Sequence, residues 1–215
     1  MLRAHIYVVA RDFGFAPNPF HGVCTLATCK PRIRKAALIG DWVLGVGGST
    51  LGATGRCIFA MKVTAAVDFD AYWSDPAYFD KRPVRNGSRK MMLGDNIYHR
   101  AQDGTWIQAD SHHSHPDGAP NGENIERDTG ADRVLISGHF YYFGSEAPII
   151  PAGLLSALPF RNGIGHRVYP LSQCADLLRW LESDFRSARN LVTALPFQFR
   201  QSAARYSAGS DRIVA

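Results

Sequence analysis

The stretch Gly40-Asp41-Trp42-Val43-Leu44-Gly45-Val46-Gly47-Gly48-Ser49-Thr50-Leu51-Gly52-Ala53-Thr54-Gly55-Arg56-Cys57-Ile58-Phe59-Ala60-Met61-Lys62-Val63 decides the fold. Trp42, Val43, Leu44 and Val46 mark a strand over Asp41 to Val46, and Cys57 to Val63 marks a second. The glycine-rich segment Gly45 to Gly55 between them reads as a hairpin connection. Upstream, His5 to Ala10 is a short apolar run rich in β-branched and aromatic residues, which predicts a buried first strand. Phe13 to Phe20 holds Gly14, Pro17, Asn18 and Pro19. The two prolines fix φ and withdraw two backbone donors, so this segment reads as an irregular loop. Pro31 to Ile39 reads as a short helix, with Pro31 at its first position, Thr28 as candidate cap and Gly40 at the exit.

Downstream, Phe69 to Phe79 is dense in aromatic residues and reads as irregular or single-turn helical structure. Lys81 to Asp132 is polar and rich in turn residues, which predicts a long loop of the kind that often carries function. Arg133 to Ser137 and Phe140 to Phe143 read as one strand continuing through Gly138 and His139. Leu171 to Arg189 reads as a helix with Leu177, Leu178, Leu181 and Phe185 at helical spacing and Ser172 as candidate cap. The expected class is α+β, with residues 1 to 215 forming one domain.

With 46% apolar and 20% charged residues over 215 positions, the composition is ordinary for a globular chain. A chain of this size buries roughly 70% of its unfolded surface, so it needs neither a disulfide nor a metal to hold its core. Cys24, Cys29, Cys57 and Cys174 lack Cys-x-x-Cys spacing, which fits neither a secreted disulfide scaffold nor a zinc ribbon. The apolar run Ile6 to Ala10 ends at Arg11 and Asp12, too early for a signal peptide. No run approaches the ~18 apolar residues of a membrane span. A soluble, cytoplasmic protein without membrane contact is expected. Net charge is +5 with pI about 9.2, a basic bias that favours a polyanionic partner. Lys30, Arg32, Arg34 and Lys35 fall together and are the candidate nucleic-acid contacts, the alternative being a solvated face. Gly45-Val46-Gly47-Gly48-Ser49-Thr50 lacks the lysine and spacing of a Walker loop, and no serine-hydrolase elbow is present.

Four blocks carry a resemblance. Val9 to Lys35 with Gly40-Asp41-Trp42-Val43, Gly94-Asp95-Asn96-Ile97-Tyr98, Asp110-Ser111-His112-His113-Ser114 and Asp132-Arg133-Val134-Leu135-Ile136-Ser137 resemble the nucleotide-modification-associated domain of the second type, covering roughly residues 5 to 143. The resemblance implies work beside DNA base-hypermodification systems, with DNA or a nucleotide as partner and other DNA-modification proteins as further candidates. The basic helix, the Gly40-Asp41-Trp42-Val43 turn and the glycine hairpin are also similar to the barrels of the PUA (pseudouridine-synthase-associated), ASCH and EVE folds. Those folds receive a base in an aromatic-lined pocket. On that analogy the expected architecture is a PUA/ASCH/EVE-like mixed β-barrel with peripheral helices and a long polar loop region.

Chemistry-bearing residues cluster in the same blocks. Cys24 follows the Pro17-Asn18-Pro19-Phe20 loop and precedes a basic helix, so it is the candidate nucleophile, with a buried structural thiol as the other reading. Cys29 lies five positions on, which places the two sulfurs on opposite faces of a strand and argues against a redox pair. His112 and His113 are candidate acid/base groups, with Asp95 or Asp110 as orienter. Asn18, Phe20, Asn96, Tyr98 and Ser111 are candidate contacts to a base, while an Asx turn accounts equally for Asp95 and Asn96. A metal would need a third ligand beyond two histidines, so no metal and no cofactor are assigned. Cys24, Asp95, Asn96, Tyr98 and one of His112 or His113 are expected to converge on one pocket. The function read from the sequence is binding of a modified or modifiable nucleobase, in DNA or as a nucleotide, with a chemical step upon it. A non-catalytic reader of modified bases and a structural adaptor are the rival classes.

Overall fold

A computed structural model describes residues 1–161, 163 and 165–214 of the chain. In chain order the elements are β1 (Arg3–Val9), β2 (Cys24–Leu26), α1 (Pro31–Ala36), β3 (Trp42–Gly47), β4 (Cys57–Lys62), β5 (Ala65–Val67), α2 (Phe69–Ser74), α3 (Arg89–Met92), β6 (Tyr98–Arg100), β7 (Trp106–Gln108), α4 (Gly122–Thr129), β8 (Val134–Ser137), β9 (His139–Tyr142), α5 (Ala152–Ser156), β10 (His166–Pro170), α6 (Ala175–Asp184), β11 (Arg205–Ser207) and β12 (Arg212–Val214).

The main sheet has five strands in the order β10-β1-β3-β4-β9. Only β1 and β3 run parallel among its neighbours, and the segment crossing between them contains β2 and α1. All six residues of β3 are buried, as expected for a central strand covered on both faces. Gly45 is required there. A Cβ at this position would lie 2.2 Å from the Phe59 ring and 2.6 Å from Val9, and the β3–β4 register shifts just beyond it. The predicted β3–β4 hairpin is present, its connection tightened by a short 3-10 turn at Ser49–Leu51.

A second sheet, β2-β8-β5, stands apart from the first, and β6–β7 and β11–β12 form two further hairpins. The fold is therefore α+β with several small sheets and short helices. Among the described residues the main sheet stays open, with β10 and β9 at its edges, so the expected barrel does not close. The continuous strand expected from Arg133 to Phe143 is also divided. Gly138, whose N–H donates to Thr64 Oγ1 at 2.9 Å, marks where the chain leaves one sheet for the other.

Two differences from the sequence reading shape the site. The helix expected over Pro31 to Ile39 stops at Ala36, and Thr28 does not cap it. Lys30 holds the cap position in a left-handed conformation with no side-chain cap bond. Within Lys81 to Asp132 the chain is not one continuous loop. It contains α3, the β6–β7 hairpin and α4, whose first turn is capped by the Asn121 side chain accepting from the Asn124 N–H at 3.1 Å. Farther on, α6 buries Leu177, Leu178 and Leu181 as its spacing predicts, but it starts at Ala175 after a 3-10 turn rather than from a Ser172 cap.

Candidate active site

β1 and β3 end side by side, and a cavity of about 460 Å³ opens beyond them. In open sheets the space outside the carboxyl ends of parallel strands is a recurrent ligand site, because neither chain continues straight across it. Val9, Ala10 and Arg11 follow β1 into the cavity wall, and Gly48, Ser49 and Thr50 follow β3. Cys29 and Lys30, on the crossing segment, form another side.

These two residues adopt left-handed backbone angles in succession, φ 54° at Cys29 and φ 42° at Lys30. For non-glycine residues each such angle costs on the order of 1 to 3 kcal/mol, so the surroundings must impose it. They do. The Cys29 N–H donates to Asp128 Oδ1 at 2.8 Å, and its carbonyl accepts from Arg34 Nε at 2.9 Å. Arg34 also donates to the carbonyls of Ala131, Arg133 and Asp128, tying α1 to the end of α4.

Around the turned-out thiol lies a three-residue relay. Cys29 Sγ is 3.7 Å from His113 Nε2, and His113 Nδ1 is 2.7 Å from Asp128 Oδ2. A carboxylate only accepts, so Nδ1 carries a proton and Nε2 is the ring atom facing the sulfur. Tyr98 donates its hydroxyl proton to the same Asp128 oxygen at 2.9 Å and accepts from Gln108 Nε2 at 3.0 Å. Burial alone would lower the His113 pKa, but the Asp128 carboxylate and Cys29 outweigh it and push the ring up to about 10. Burial opposes ionisation of Asp128 too, yet His113 and Arg34 hold its carboxyl below the usual range. The pair is thus a buried imidazolium and carboxylate.

His112, next in the chain, is in a contrary state. Its Nδ1 donates to the Ala204 carbonyl at 2.6 Å, and its ring packs against Phe13 and Phe15 at centroid distances of 4.6 and 5.0 Å. Burial, then the neighbouring His113 charge, depress its pKa to about 3. It stays neutral, lines the cavity and offers Nε2 only as an acceptor.

Sulfur, imidazole and carboxylate donors of Cys29, His113 and Asp128 lie within 4.8 Å of one another, which is the spacing a metal would need. Asp128, however, is already committed to the Cys29 N–H, Tyr98 and His113. Only Cys29 Sγ and His113 Nε2 are left, two donors against the four of a structural zinc site. The arrangement fits a nucleophile, base and orienter better than a metal centre.

The remaining candidates sit elsewhere. Cys24 is fully buried in the main core beside Met61, with its sulfur 3.9 Å from Met61 Sδ, and burial pushes its thiol up to about 12. Asp95 accepts from Thr25 Oγ1 at 2.7 Å and Tyr72 at 2.9 Å. Nearby, Asn18 accepts from the buried Lys81 ammonium, both at its carbonyl and at Oδ1. Asn96 donates to the Tyr72 and Tyr78 carbonyls, and Phe20 packs on Phe199. Ser111 bonds within its own turn, and Asp110 pairs with Arg205. The expected convergence on Cys24 is therefore not seen. His112 and His113 line the cavity and Tyr98 stands behind it, whereas Cys24, Asp95 and Asn96 belong to the packed interior. Within the basic helix, Arg34 is fully buried in backbone contacts and cannot face a nucleic acid, while Arg32 and Lys35 are exposed.

Cys29 and Asp128 were not among the sequence candidates. Cys29 had one usable signal, its place at a strand-to-helix junction just before Pro31. Asp128 shares a helix face with Asn124 four positions earlier, a polar spacing that hides its burial.

The family model described as nucleotide modification associated domain 2 matches residues 1–203. The chain belongs to that family. No curated protein and no solved structure matches it. Residues 1–203 include Cys29, His113 and Asp128, so the relay lies inside the nucleotide modification associated domain 2 match.

Proposed function

We propose that this protein is a thiol-dependent enzyme of nucleotide modification, in which Cys29 attacks an electrophilic carbon of a nucleobase or nucleotide. Cys29 Sγ facing His113 Nε2, with Asp128 behind the ring, is the observation that supports it. In the reaction the sulfur reaches the carbon as a thiolate, its proton held on His113. A sulfur–carbon bond forms while the bond from that carbon to a nitrogen or oxygen leaving group breaks. His113 gives its proton to the leaving atom. Water or an amine, deprotonated by His113, then displaces the sulfur and restores the thiol. Asp128 holds the imidazole by Nδ1 and stabilises its charge throughout, and Tyr98 keeps the carboxylate in place.

A carbonyl or amidine-type carbon is the chemistry this relay suits, and a buried neutral His112 adds one hydrogen-bond acceptor for a substrate N–H. The reading moves the nucleophile from Cys24 to Cys29 and keeps His113 as the acid/base group. Nucleoside mass spectrometry of DNA and of the nucleotide pool, from cells carrying wild-type or Cys29→Ala protein, tests it. The modified species should disappear with Cys29→Ala, and intact-protein mass spectrometry should show a substrate adduct on Cys29 alone. An unchanged nucleoside profile with folded Cys29→Ala protein would leave the non-catalytic reader as the better account.

A further inference from the structure

Among the described residues, three basic side chains besides the His113 imidazolium line the cavity, Lys30, Arg11 and Arg127, with the exposed carboxylate of Asp211. Their situations differ. Arg11 donates to Asp211 Oδ1 at 2.9 Å and to its carbonyl at 2.6 Å, and Arg127 donates to the Tyr206 hydroxyl at 2.9 Å. The Lys30 ammonium has no salt bridge and no hydrogen bond among the described residues. Its ammonium instead rests 4.5 Å from the centre of the Tyr7 ring. A half-buried ammonium gives up part of its water, and the ring face replaces that only in part.

Tyr7 supplies a second, independent sign. It lines the same cavity with 2% of its surface exposed, and its hydroxyl has no hydrogen-bond partner among the described residues. Buried phenols almost always find one. An unpartnered hydroxyl and a cation that no carboxylate pairs thus belong to residues lining one cavity, as does Cys29. An anion with several acceptor oxygens would satisfy both groups.

We propose that this wall is a phosphate seat, in which Lys30 and the Tyr7 hydroxyl bind a nucleotide phosphate, with Arg11 and Arg127 supplying the surrounding positive field. The proposal rests on the reading of Cys29 as nucleophile, and names the substrate of that site as a phosphate-bearing nucleotide rather than a free base or nucleoside. A cavity of about 460 Å³ is within the range of small-ligand pockets and has room for one nucleotide unit. The phosphate belongs either to a free nucleotide or to a strand of DNA.

Calorimetric titration of the full chain with the four deoxynucleoside monophosphates, the four nucleosides and a short single-stranded oligonucleotide tests this. At least one monophosphate should bind about tenfold or more tightly than its nucleoside, with the preference shrinking as salt is raised. Lys30→Gln should erase the preference and leave nucleoside affinity alone. Lys30→Arg should restore most of it, and Tyr7→Phe should reduce it severalfold. Tighter binding by the oligonucleotide would assign the phosphate to a strand, and tighter binding by the monophosphate to a free nucleotide. Equal affinities for nucleosides and their phosphates, no binding by any phosphate-bearing probe, or a preference untouched by Lys30→Gln would each overturn the seat. The nucleophile is judged separately. A phosphate preference that persists while Cys29→Ala keeps full activity would refute the relay and spare the seat.

Discussion

Cys24 and Cys29 stand five positions apart and have opposite surroundings. Cys24 is paired into β2, its backbone opposite Ser137 of β8, and its sulfur is sealed against Met61. Cys29 lies just past the strand, where two left-handed residues turn the chain and bring the sulfur beside an imidazole at a cavity wall. Each thiol has a carboxylate network close by. Near Cys24, Asp95, Thr25, Tyr72, Lys81 and Asn18 satisfy one another without an opening. Around Cys29, the Asp128 network leaves one sulfur and one ring nitrogen uncommitted. A polar network becomes a site where its satisfaction stops at an accessible edge.

The two sulfurs should differ most. Cys29→Ala should lower turnover by about 10⁴-fold or more, as loss of a nucleophile does in other relays, with little change in stability. Cys24→Ala should keep turnover and lose about 1 kcal/mol of stability from the small cavity left behind. Cys24→Ser should cost more, up to a few kcal/mol, because the core offers its hydroxyl no replacement for water. Parallel measurement of turnover and urea unfolding on the three variants checks this. Equal activity loss at both positions would end the distinction.

The carboxylates give the next test. Asp128→Asn keeps the shape but presents an amide where His113 needs an anion, so turnover should fall by about 10³ to 10⁴-fold. Asp95→Asn should leave the chemistry alone and act on folding instead, since the amide turns an N–H toward one of the two buried hydroxyls, Thr25 and Tyr72, that donate to the carboxylate. Leaving a buried donor unsatisfied costs about 1 to 3 kcal/mol. The contrast is read from turnover per folded molecule against the midpoint of chemical unfolding.

Periodicity made the strands legible, since Ile6, Val43, Leu44 and Phe59 belong to runs that only buried strands explain. The barrel was not legible, because closure depends on which edge strands meet, and that pairing is non-local. For the site, the His112-His113 pair was visible as a cluster. Its partner acid was not, because Asp128 lies on a polar helix, Gly122–Thr129, whose sequence carries too few apolar residues to reveal a buried face. The choice between two cysteines was hidden for a related reason. Which sulfur reaches the cavity is set by φ at Cys29 and Lys30, and those angles are imposed by Arg34 and Asp128 from elsewhere in the chain.

The two histidines are separated by pH, with opposite signs. His112 has a folded pKa of about 3, below the ordinary value of 6.5. The unfolded chain therefore takes up a proton there that the folded chain refuses. Its contribution to stability is complete above pH 6.5 and is lost as pH falls from there toward 3. His113, raised to about 10, does the reverse. Its contribution is complete below 6.5 and is lost as pH rises through 10. Asp128, held below its ordinary value, contributes from above pH 4 upward. Stability should thus be highest near pH 6.5 and decline on both sides, each group adding a slope of up to about 1.4 kcal/mol per pH unit. His112→Phe should flatten the decline between pH 6.5 and 4, and His113→Gln should flatten the one between 6.5 and 10. Urea midpoints measured every half pH unit for the three proteins resolve the two limbs. An acid limb unchanged in His112→Phe would mean that His112 is protonated in the folded protein, and that the neutral acceptor assigned to the cavity is not there.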